Sequence, residues 1–110
     1  MIITWQDFEK VELHVGTIIK SEAFKEARNP AYILHVDFGE LGIKKSSAQI
    51  TNLYQLEELV GKQVICVTNF EAKQIGSIRS EVLVTGFKDK KGHIVLSTVD
   101  SPVPNGHRLI

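Results

Sequence analysis

Residues 61–87 read GKQVICVTNFEAKQIGSIRSEVLVTGF, and this stretch holds two apolar runs separated by a polar, basic connector. The runs at 64–70 and 82–87 are rich in β-branched and aromatic residues, which is typical of β-strands. The connector at 71–80 carries amide, hydroxyl and cationic side chains instead. A polar connector held between two strands of a sheet is typical of a binding loop. We therefore expect binding chemistry here, not catalytic chemistry.

Two more runs, at 11–15 and 32–38, alternate apolar with polar residues. This pattern predicts half-buried strands, because successive side chains of a strand point to opposite faces. Gly16 suggests a bulge within the first of these strands. The segment 39–42 contains two glycines and can reverse the chain into a third strand at 43–50, so strands two and three form a predicted hairpin.

Two short helices are also predicted. Thr4, followed three residues later by Asp7, is an approximate capping box that marks a helix N-terminus. A second helix is expected after strand three, with Thr51 or Asn52 as its cap and Gly61 just past its end. Its apolar face would consist of Leu53, Leu56, Leu59 and Val60.

The order of these elements indicates the fold class. With strand four at 62–70 and strand five at 81–87, three strands, a short helix and two strands follow one another, and a further strand is predicted at 93–98. This is the order of the OB-fold, an all-β, five-stranded Greek-key barrel. In this fold ligands meet the face of strands two and three and two loops, which here are 21–31 and 71–80. Both loops carry cations.

Length and charge limit the classes of protein that this chain can represent. Its 110 residues, 43% of them hydrophobic, suffice for one domain spanning 1–110, with a core at about 7–100 and an extension at 101–110. Thirteen basic and thirteen acidic residues give zero formal charge, which argues against indiscriminate binding to nucleic acid or anionic membrane. The middle of the chain, at 41–92, is the electropositive part, with eight Lys/Arg against five Asp/Glu.

The sequence also predicts the compartment. The N-terminus lacks a basic stretch followed by a long apolar one, and no run of 18 apolar residues occurs, so we expect a cytoplasmic protein without membrane insertion. The single cysteine, Cys66, lies within an apolar strand pattern and is expected to be buried in the core.

No catalytic or metal-binding pattern is present, so we expect neither enzyme activity nor a cofactor. The four histidines lack metal-ligand spacing, and no phosphate-binding glycine loop, nucleophile elbow or Cys/His pair occurs. His14 and His35 fall on the polar parity of their strands, where a solvent-facing ring is expected.

Several motifs, taken in order, resemble one family. They are Asn29-Pro30-Ala31, VDFGE at 36–40, SSAQIT at 46–51, the block 61–87 and VPNG at 103–106. Together they are similar to the CsaA-type secretion chaperones of the tRNA-binding domain family, and the similarity extends over about 7–108. After Ser80-Glu81 this chain continues with Val82-Leu83, as in the chaperone branch, where synthetase-type members usually have glycine and methionine.

The resemblance implies an OB-fold homodimer without enzyme activity, joined by the N-terminal helix and the C-terminal extension. It implies non-native precursor proteins, and possible export machinery, as partners in the chaperone branch, and tRNA, recognised by its outer shape, as the ligand in the wider family. Site roles carry over to Asn29, Ser47, Lys73, Arg79 and Ser80. The extension at 101–110 has two prolines and a terminal Leu109-Ile110, and we expect it to need a surface to pack on.

The residues themselves suggest two kinds of ligand contact. Lys44, Lys45, Lys73 and Arg79 form a candidate basic strip for phosphates, or else are ordinary solvated charges. Because Lys44 and Lys45 alternate across strand three, only one of them can face a ligand. Tyr32 and Phe38 share the core parity of strand two, which favours recognition of folded RNA by shape over stacking on single strands.

An unfolded-peptide site would instead need exposed apolar surface near the sheet. Ile75 and Ile78 are the apolar candidates within the connector, and the alternative is that they tuck beneath it as part of a small core. The sequence thus predicts a dimeric chaperone for precursor proteins, with structure-specific tRNA binding as the alternative.

Overall fold

A computed structural model describes residues 1–110, and in it five antiparallel-paired strands curl into a nearly closed barrel. The elements are α1 (Trp5–Glu9), β1 (Leu13–Ala23), β2 (Tyr32–Asp37), a 3-10 turn (Gly39–Leu41), β3 (Ile43–Ala48), α2 (Leu56–Leu59), β4 (Gln63–Val67), β5 (Lys73–Ile75), β6 (Ile78–Ser80), β7 (Leu83–Val84), β8 (Gly86–Lys88) and β9 (Ile94–Leu96). The barrel sheet has the order β3-β2-β1-β4-β7, while β5-β6 and β8-β9 are separate hairpins. The mostly-β OB-type barrel predicted from the sequence is confirmed. The predicted strand five is divided between β7 and β8, and the predicted loop at 71–80 is a hairpin.

The core lies inside the barrel, on the inward parity of its strands. Ile18, Leu34, Phe38 and Val64 are completely buried there, as is Cys66. Burial raises the pKa of the Cys66 thiol to about 12, because the thiolate would lose its hydration. The prediction that Cys66 is a core residue is confirmed.

Gly16 serves close packing, and the predicted bulge at this position is wrong. The pairing of β1 with β2 shifts register between Ile18 and Lys20 instead. A Cβ atom at Gly16 would lie 2.5 Å from Val36 Cγ1 and 2.8 Å from the Phe38 ring. Only glycine therefore lets the backbone of β1 approach the side chains of Val36, in β2, and Phe38, just after β2, so closely.

The first helix begins as predicted and the second does not. Thr4 and Asp7 exchange two capping hydrogen bonds, each 3.1 Å long. The second helix begins after Gln55, whose N–H donates to Glu58 Oε1 at 2.8 Å, so Thr51 and Asn52 are not its caps.

Only part of the apolar face predicted for the second helix is buried. Leu59 is fully buried, whereas Leu53 and Val60 are exposed. The helix has only one turn, and one turn cannot direct all four apolar residues to the barrel. Gly61 follows it with φ of 97°, the left-handed conformation expected of a residue just past a helix end.

The C-terminal extension packs against its own barrel. Gly106 N–H donates to Val15 O at 2.8 Å, Val15 N–H donates to His107 O at 3.0 Å and Leu109 N–H donates to Leu13 O at 2.7 Å. The extension thereby pairs with the first half of β1 on the side opposite β4. The surface on which the extension packs is therefore β1 of the same chain.

The strand parity predicted a solvent-facing His14 ring, and this prediction is wrong. The C-terminal extension is part of the reason. His14 is 8% exposed, because Thr68 and the bridging residue Arg108 cover this part of β1. The Thr68 hydroxyl donates to Glu12 O, so it accepts from His14 Nδ1–H at 2.7 Å. Burial lowers the pKa of His14, since the imidazolium would lose hydration near the Arg108 cation.

The prediction of a solvent-facing ring is wrong for His35 as well. Its side chain is mostly covered, and Nε2 lies 2.8 Å from Glu22 Oε1. This contact lowers the pKa of the Glu22 carboxyl, because a hydrogen bond to the carboxylate favours the ionised form.

No helix in the chain is long and apolar enough to cross a lipid bilayer.

Candidate ligand-binding site

The β5-β6 hairpin is the most prominent feature of the predicted binding region. Its strands pair Lys73 with Ser80, Gln74 with Arg79 and Ile75 with Ile78. Gly76 occupies the first position of its two-residue loop with φ of 55°, which only glycine adopts readily. Because faces alternate along a strand, the face that carries Lys73 is opposite the one that carries Arg79.

The inner face of the hairpin is held to the loop between β1 and β2 by a small apolar cluster. Phe24, Ala31 and Ile78 are buried together there, and Ile75 packs against them half-buried. At the tip, Ser77 Oγ donates to Glu26 Oε1 at 2.6 Å. The two loops predicted to bind ligand therefore lie side by side and support one another.

The sequence left open whether Ile75 and Ile78 are exposed to a ligand or tuck beneath the connector as part of a small core. The cluster shows that Ile78 tucks beneath it. Ile78 is 8% exposed and belongs to the cluster, so it offers no free surface to a ligand. Its inclusion among the candidate contact residues is wrong, because the Phe24 ring and Ala31 cover it. Ile75 keeps part of its surface exposed and remains a candidate.

The residues after the hairpin attach it to β3. Glu81 N–H donates to Lys45 O at 2.8 Å, and Lys45 N–H donates to Glu81 Oε1 at 3.1 Å. Ser47 N–H donates to Ser80 Oγ at 3.0 Å. Ser80 therefore has a structural function, which is to complete the hydrogen bonding of an edge strand.

Lys44 and Lys45 lie on opposite faces of β3, as predicted. Lys44 is half-buried on the inward parity, opposite Val36, whereas Lys45 is exposed on the outward parity, opposite His35. The structure therefore does not bring these two lysines together with Lys73 and Arg79 into one continuous basic strip.

Two grooves lie where β3, β7 and the hairpin meet. The first, which we call the hairpin groove, has a volume of about 450 Å³, and its lining includes Ser47, Phe70, Lys73, Ile75, Ser80 and Leu83. The second, which we call the seam groove, has a volume of about 810 Å³, and its lining includes Asn29, Ser47, Gln49, Leu83, Thr85 and Ile94. Ser47 and Leu83 border both grooves, so the two form one continuous candidate site.

Sequence reasoning missed two apolar residues of this site. Phe70 is 58% exposed and Leu83 is 49% exposed, and both line the hairpin groove. Leu83 carries a detectable signal, because it alternates with Val82 and Val84, which face inward. Phe70 is the last residue of an apolar run, and nothing in the sequence indicates that its ring lies outside the core.

The charges in the hairpin groove are of both signs. Glu71 and Glu81 line it together with Lys73. A mixed lining does not attract polyanions as a uniformly basic one would. The hairpin groove is therefore partly apolar and lies beside a sheet edge, with the hydroxyl groups of Ser47 and Ser80 in its lining.

These features define a small OB-fold binding domain, and comparison with known proteins identifies its family. The family model described as "Putative tRNA binding domain" matches residues 13–108. The chain therefore belongs to the tRNA-binding domain family.

Solved structures and curated relatives refine this assignment. The chaperone CsaA from Bacillus anthracis superposes with a TM-score of 0.93 at 44% identity, with 100% of both chains covered. The CsaA chaperone protein from Picrophilus torridus gives a TM-score of 0.91 at 45% identity, covering 99% of this chain and 100% of that one. Methionine–tRNA ligase 1 of Bacillus anthracis is 33% identical over 110 residues, which are 97% of this chain but 16% of the ligase. The predicted resemblance to CsaA-type members of the family is confirmed.

Proposed function

We propose that this chain is a non-catalytic, CsaA-like chaperone that binds non-native precursor proteins in the cytoplasm before export, and that it acts as a homodimer. The observation that carries the proposal is the pair of exposed apolar side chains, Phe70 and Leu83, at the mouth of the hairpin groove. Exposed apolar surface beside a sheet edge suits an unfolded chain, which offers both apolar side chains and free backbone groups.

The comparisons support the chaperone class over a synthetase appendage. The matches to the two CsaA chaperones cover 100% and 99% of this chain and 100% of each chaperone chain, whereas the match to the ligase covers 16% of that protein. The formal net charge of zero and the mixed charges at the groove favour a ligand that is not a polyanion.

The exposed apolar residues at the two chain ends support a dimer. Arg108 donates to Glu9 O, which places the C-terminal extension beside α1. Ile3, Trp5, Leu109 and Ile110 are all exposed in this region of the single chain. A second copy would cover them, and their burial would contribute to association in proportion to the apolar area removed from water.

Replacing both groove residues by serine tests the chaperone proposal. The Phe70→Ser/Leu83→Ser variant is expected to bind a reduced and carboxymethylated unfolded polypeptide at least about tenfold more weakly, because burying one large apolar side chain contributes about 1.5–3 kcal/mol. Fluorescence anisotropy of the labelled polypeptide measures the affinity. Binding by the unmodified protein is expected to change little between low and physiological salt.

The matched control is Phe87→Ser/Val95→Ser, which alters an exposed cross-strand pair on the β8-β9 hairpin outside the hairpin groove. This variant is expected to bind as the unmodified protein does. Equal affinity of the groove variant and the unmodified protein would reject the hairpin groove as the binding surface.

Structure-specific tRNA binding is the second candidate function, and the family match favours it. Lys73 and Arg79, both exposed on the β5-β6 hairpin, are the candidate phosphate contacts. If this second function is correct, binding to bulk tRNA weakens steeply as salt rises, because each phosphate contact releases counterions. The Lys73→Ala/Arg79→Ala variant is expected to reduce the slope of the logarithm of affinity against that of salt by about one per lost contact. Filter binding across a salt series measures this slope.

The control for that experiment is Lys90→Ala/Lys91→Ala, which removes two exposed lysines from the β8-β9 turn. An equal loss in both variants would show charge attraction without a site on the β5-β6 hairpin. Absence of tRNA binding by the unmodified protein would exclude this candidate.

A further inference from the structure

The barrel is left open between β3 and β7, the two edge strands of its sheet. They are joined near Lys45 and Ser47 through residues 80–81, as described above, and no backbone hydrogen bond connects β3 directly to β7. The seam groove occupies the gap beyond that junction. The gap is therefore a place where two sheet edges face the same space without being paired.

The edge groups of β3 at this gap point away from β2. Lys45 and Ser47 direct their N–H groups toward residues 80–81, and every second residue of a strand faces the same edge. Gln49 directly follows Ala48, the last residue of β3, and continuing the alternation by one residue places its N–H toward the gap; this N–H donates to no protein atom. The carbonyl of Ser47 accepts only a weak 3.3 Å bond from the neighbouring Ser46 hydroxyl. One acceptor and one donor thus stay available two residues apart.

This pair of groups matches one kind of partner. An extended polypeptide presents an N–H and a C=O at the same spacing and adds to a free sheet edge by main-chain hydrogen bonds. The groove volume of about 810 Å³ lies within the range of about 300–1,000 Å³ typical of ligand sites. Leu83 and Ile94 offer apolar contacts in the groove, while Asn29 and Thr85 offer polar ones. A nucleic acid backbone has phosphate acceptors in place of this alternating pattern.

We propose that a segment of the bound non-native polypeptide adds as a strand alongside Ser47–Gln49, at the C-terminal end of β3, within the seam groove. This inference rests on the proposed chaperone function and specifies how the same site holds its ligand. Main-chain hydrogen bonds supply the affinity and do not depend on the ligand's sequence, so one site accepts many different clients. The apolar side chains at the hairpin groove then contact residues that continue along the segment.

A proline at position 49 tests the inference, because it removes the N–H group and keeps the extended conformation that the preceding residue, Ala48, already has as part of β3. The Gln49→Pro variant is expected to bind the reduced and carboxymethylated polypeptide at least about tenfold more weakly. The matched control is Gln49→Ala, which removes the side chain and keeps the N–H group, and it is expected to bind within about twofold of the unmodified protein. Circular dichroism and the midpoint of urea unfolding show whether each variant is folded.

Amide hydrogen exchange of the unmodified protein gives a second measurement that does not depend on a variant folding. Exchange of the Gln49 N–H is expected to slow at least about tenfold when the unfolded polypeptide is added, because a hydrogen-bonded amide exchanges only after the bond opens. An unchanged exchange rate with the polypeptide bound would overturn the inference. Protection by bulk tRNA alone, or by raising the protein concentration alone, would also overturn it, and would assign the edge to RNA or to a second copy of the chain.

The outcomes separate this inference from the function on which it rests. If Gln49→Pro binds normally while Phe70→Ser/Leu83→Ser binds weakly, strand addition is wrong and the chaperone proposal stands. If the unmodified protein binds no unfolded polypeptide, both are wrong. Weak binding by Gln49→Pro, normal binding by Gln49→Ala and protection of the Gln49 N–H together support strand addition.

Discussion

Removal of residues 101–110 is expected to lower the free energy of unfolding by about 7 kcal/mol, at about 1 kcal/mol for each of the seven hydrogen bonds lost. Three backbone hydrogen bonds between the extension and β1 would disappear. Asn105 Oδ1 would no longer accept from Thr17 Oγ1 at 2.7 Å or from Gln63 Nε2 at 3.2 Å. Gln63 would also lose its two bonds to the backbone of Val103, at 2.7 and 3.0 Å.

The loss is large compared with the total stability of a domain this small, which is typically about 5–15 kcal/mol. The truncated chain would also expose the edge of β1 at Leu13–Val15, and an exposed edge pairs readily with other chains. We therefore expect a largely unfolded or insoluble product. Urea unfolding followed by circular dichroism measures the stability, and analytical ultracentrifugation measures the assembly state.

A shorter truncation separates the stability of the barrel from the proposed dimer. Removal of Leu109 and Ile110 alone deletes exposed apolar side chains and one backbone bond to β1, but keeps Asn105 and Gly106 in place. This variant is expected to stay folded and to dissociate into monomers. A soluble, cooperatively unfolding dimer after removal of all ten residues would contradict the prediction and assign the extension no part in either property.

Replacement of Phe38 by alanine is expected to cost about 3–5 kcal/mol of unfolding free energy, as is usual for removal of a fully buried aromatic side chain. Phe38 is completely buried at the end of β2, where its ring packs over Gly16. Its backbone carbonyl lies against Gly106, so the same residue supports the docked extension. The cavity would therefore loosen the contact between β1, β2 and the extension at once.

The control for this substitution is Phe87→Ala, because Phe87 is 74% exposed on β8. It is expected to change the unfolding free energy by no more than about 0.5 kcal/mol. Urea unfolding monitored by Trp5 fluorescence or circular dichroism measures both variants. Similar effects at the two positions would contradict the assignment of Phe38 to the central core.

Local patterns in the sequence predicted several features of this molecule correctly. The spacing of Thr4 and Asp7 predicted the first helix, and the alternation along 32–38 predicted the inward face of β2. The apolar run around Cys66 predicted a buried thiol. In each case the physical cause acts within a few residues, through a cap or through the two-residue period of a strand, so the sequence contains it directly.

The misplaced features depend on segments distant in sequence. His14 has the parity of an exposed residue, and Thr68 and Arg108 bury it from far along the chain. Ile78 lies in a polar connector, and Phe24 and Ala31 cover it. Lys73 and Arg79 are predicted in one loop, but cross-strand pairing directs their side chains to opposite faces. A local sequence pattern does not indicate which residues from distant segments will cover or pair with a given position.

The sequence by itself therefore determined the order of the five barrel strands and the short helix between them, the apolar inward face of β2 and the family. The tertiary structure alone decided that the C-terminal extension covers β1, that the connector folds into a hairpin with one basic residue on each face, and that β3 and β7 leave a groove between them. The reason is physical: a strand's pattern specifies which face turns toward a core, whereas closure of the barrel depends on register, twist and the packing of segments far apart in the chain.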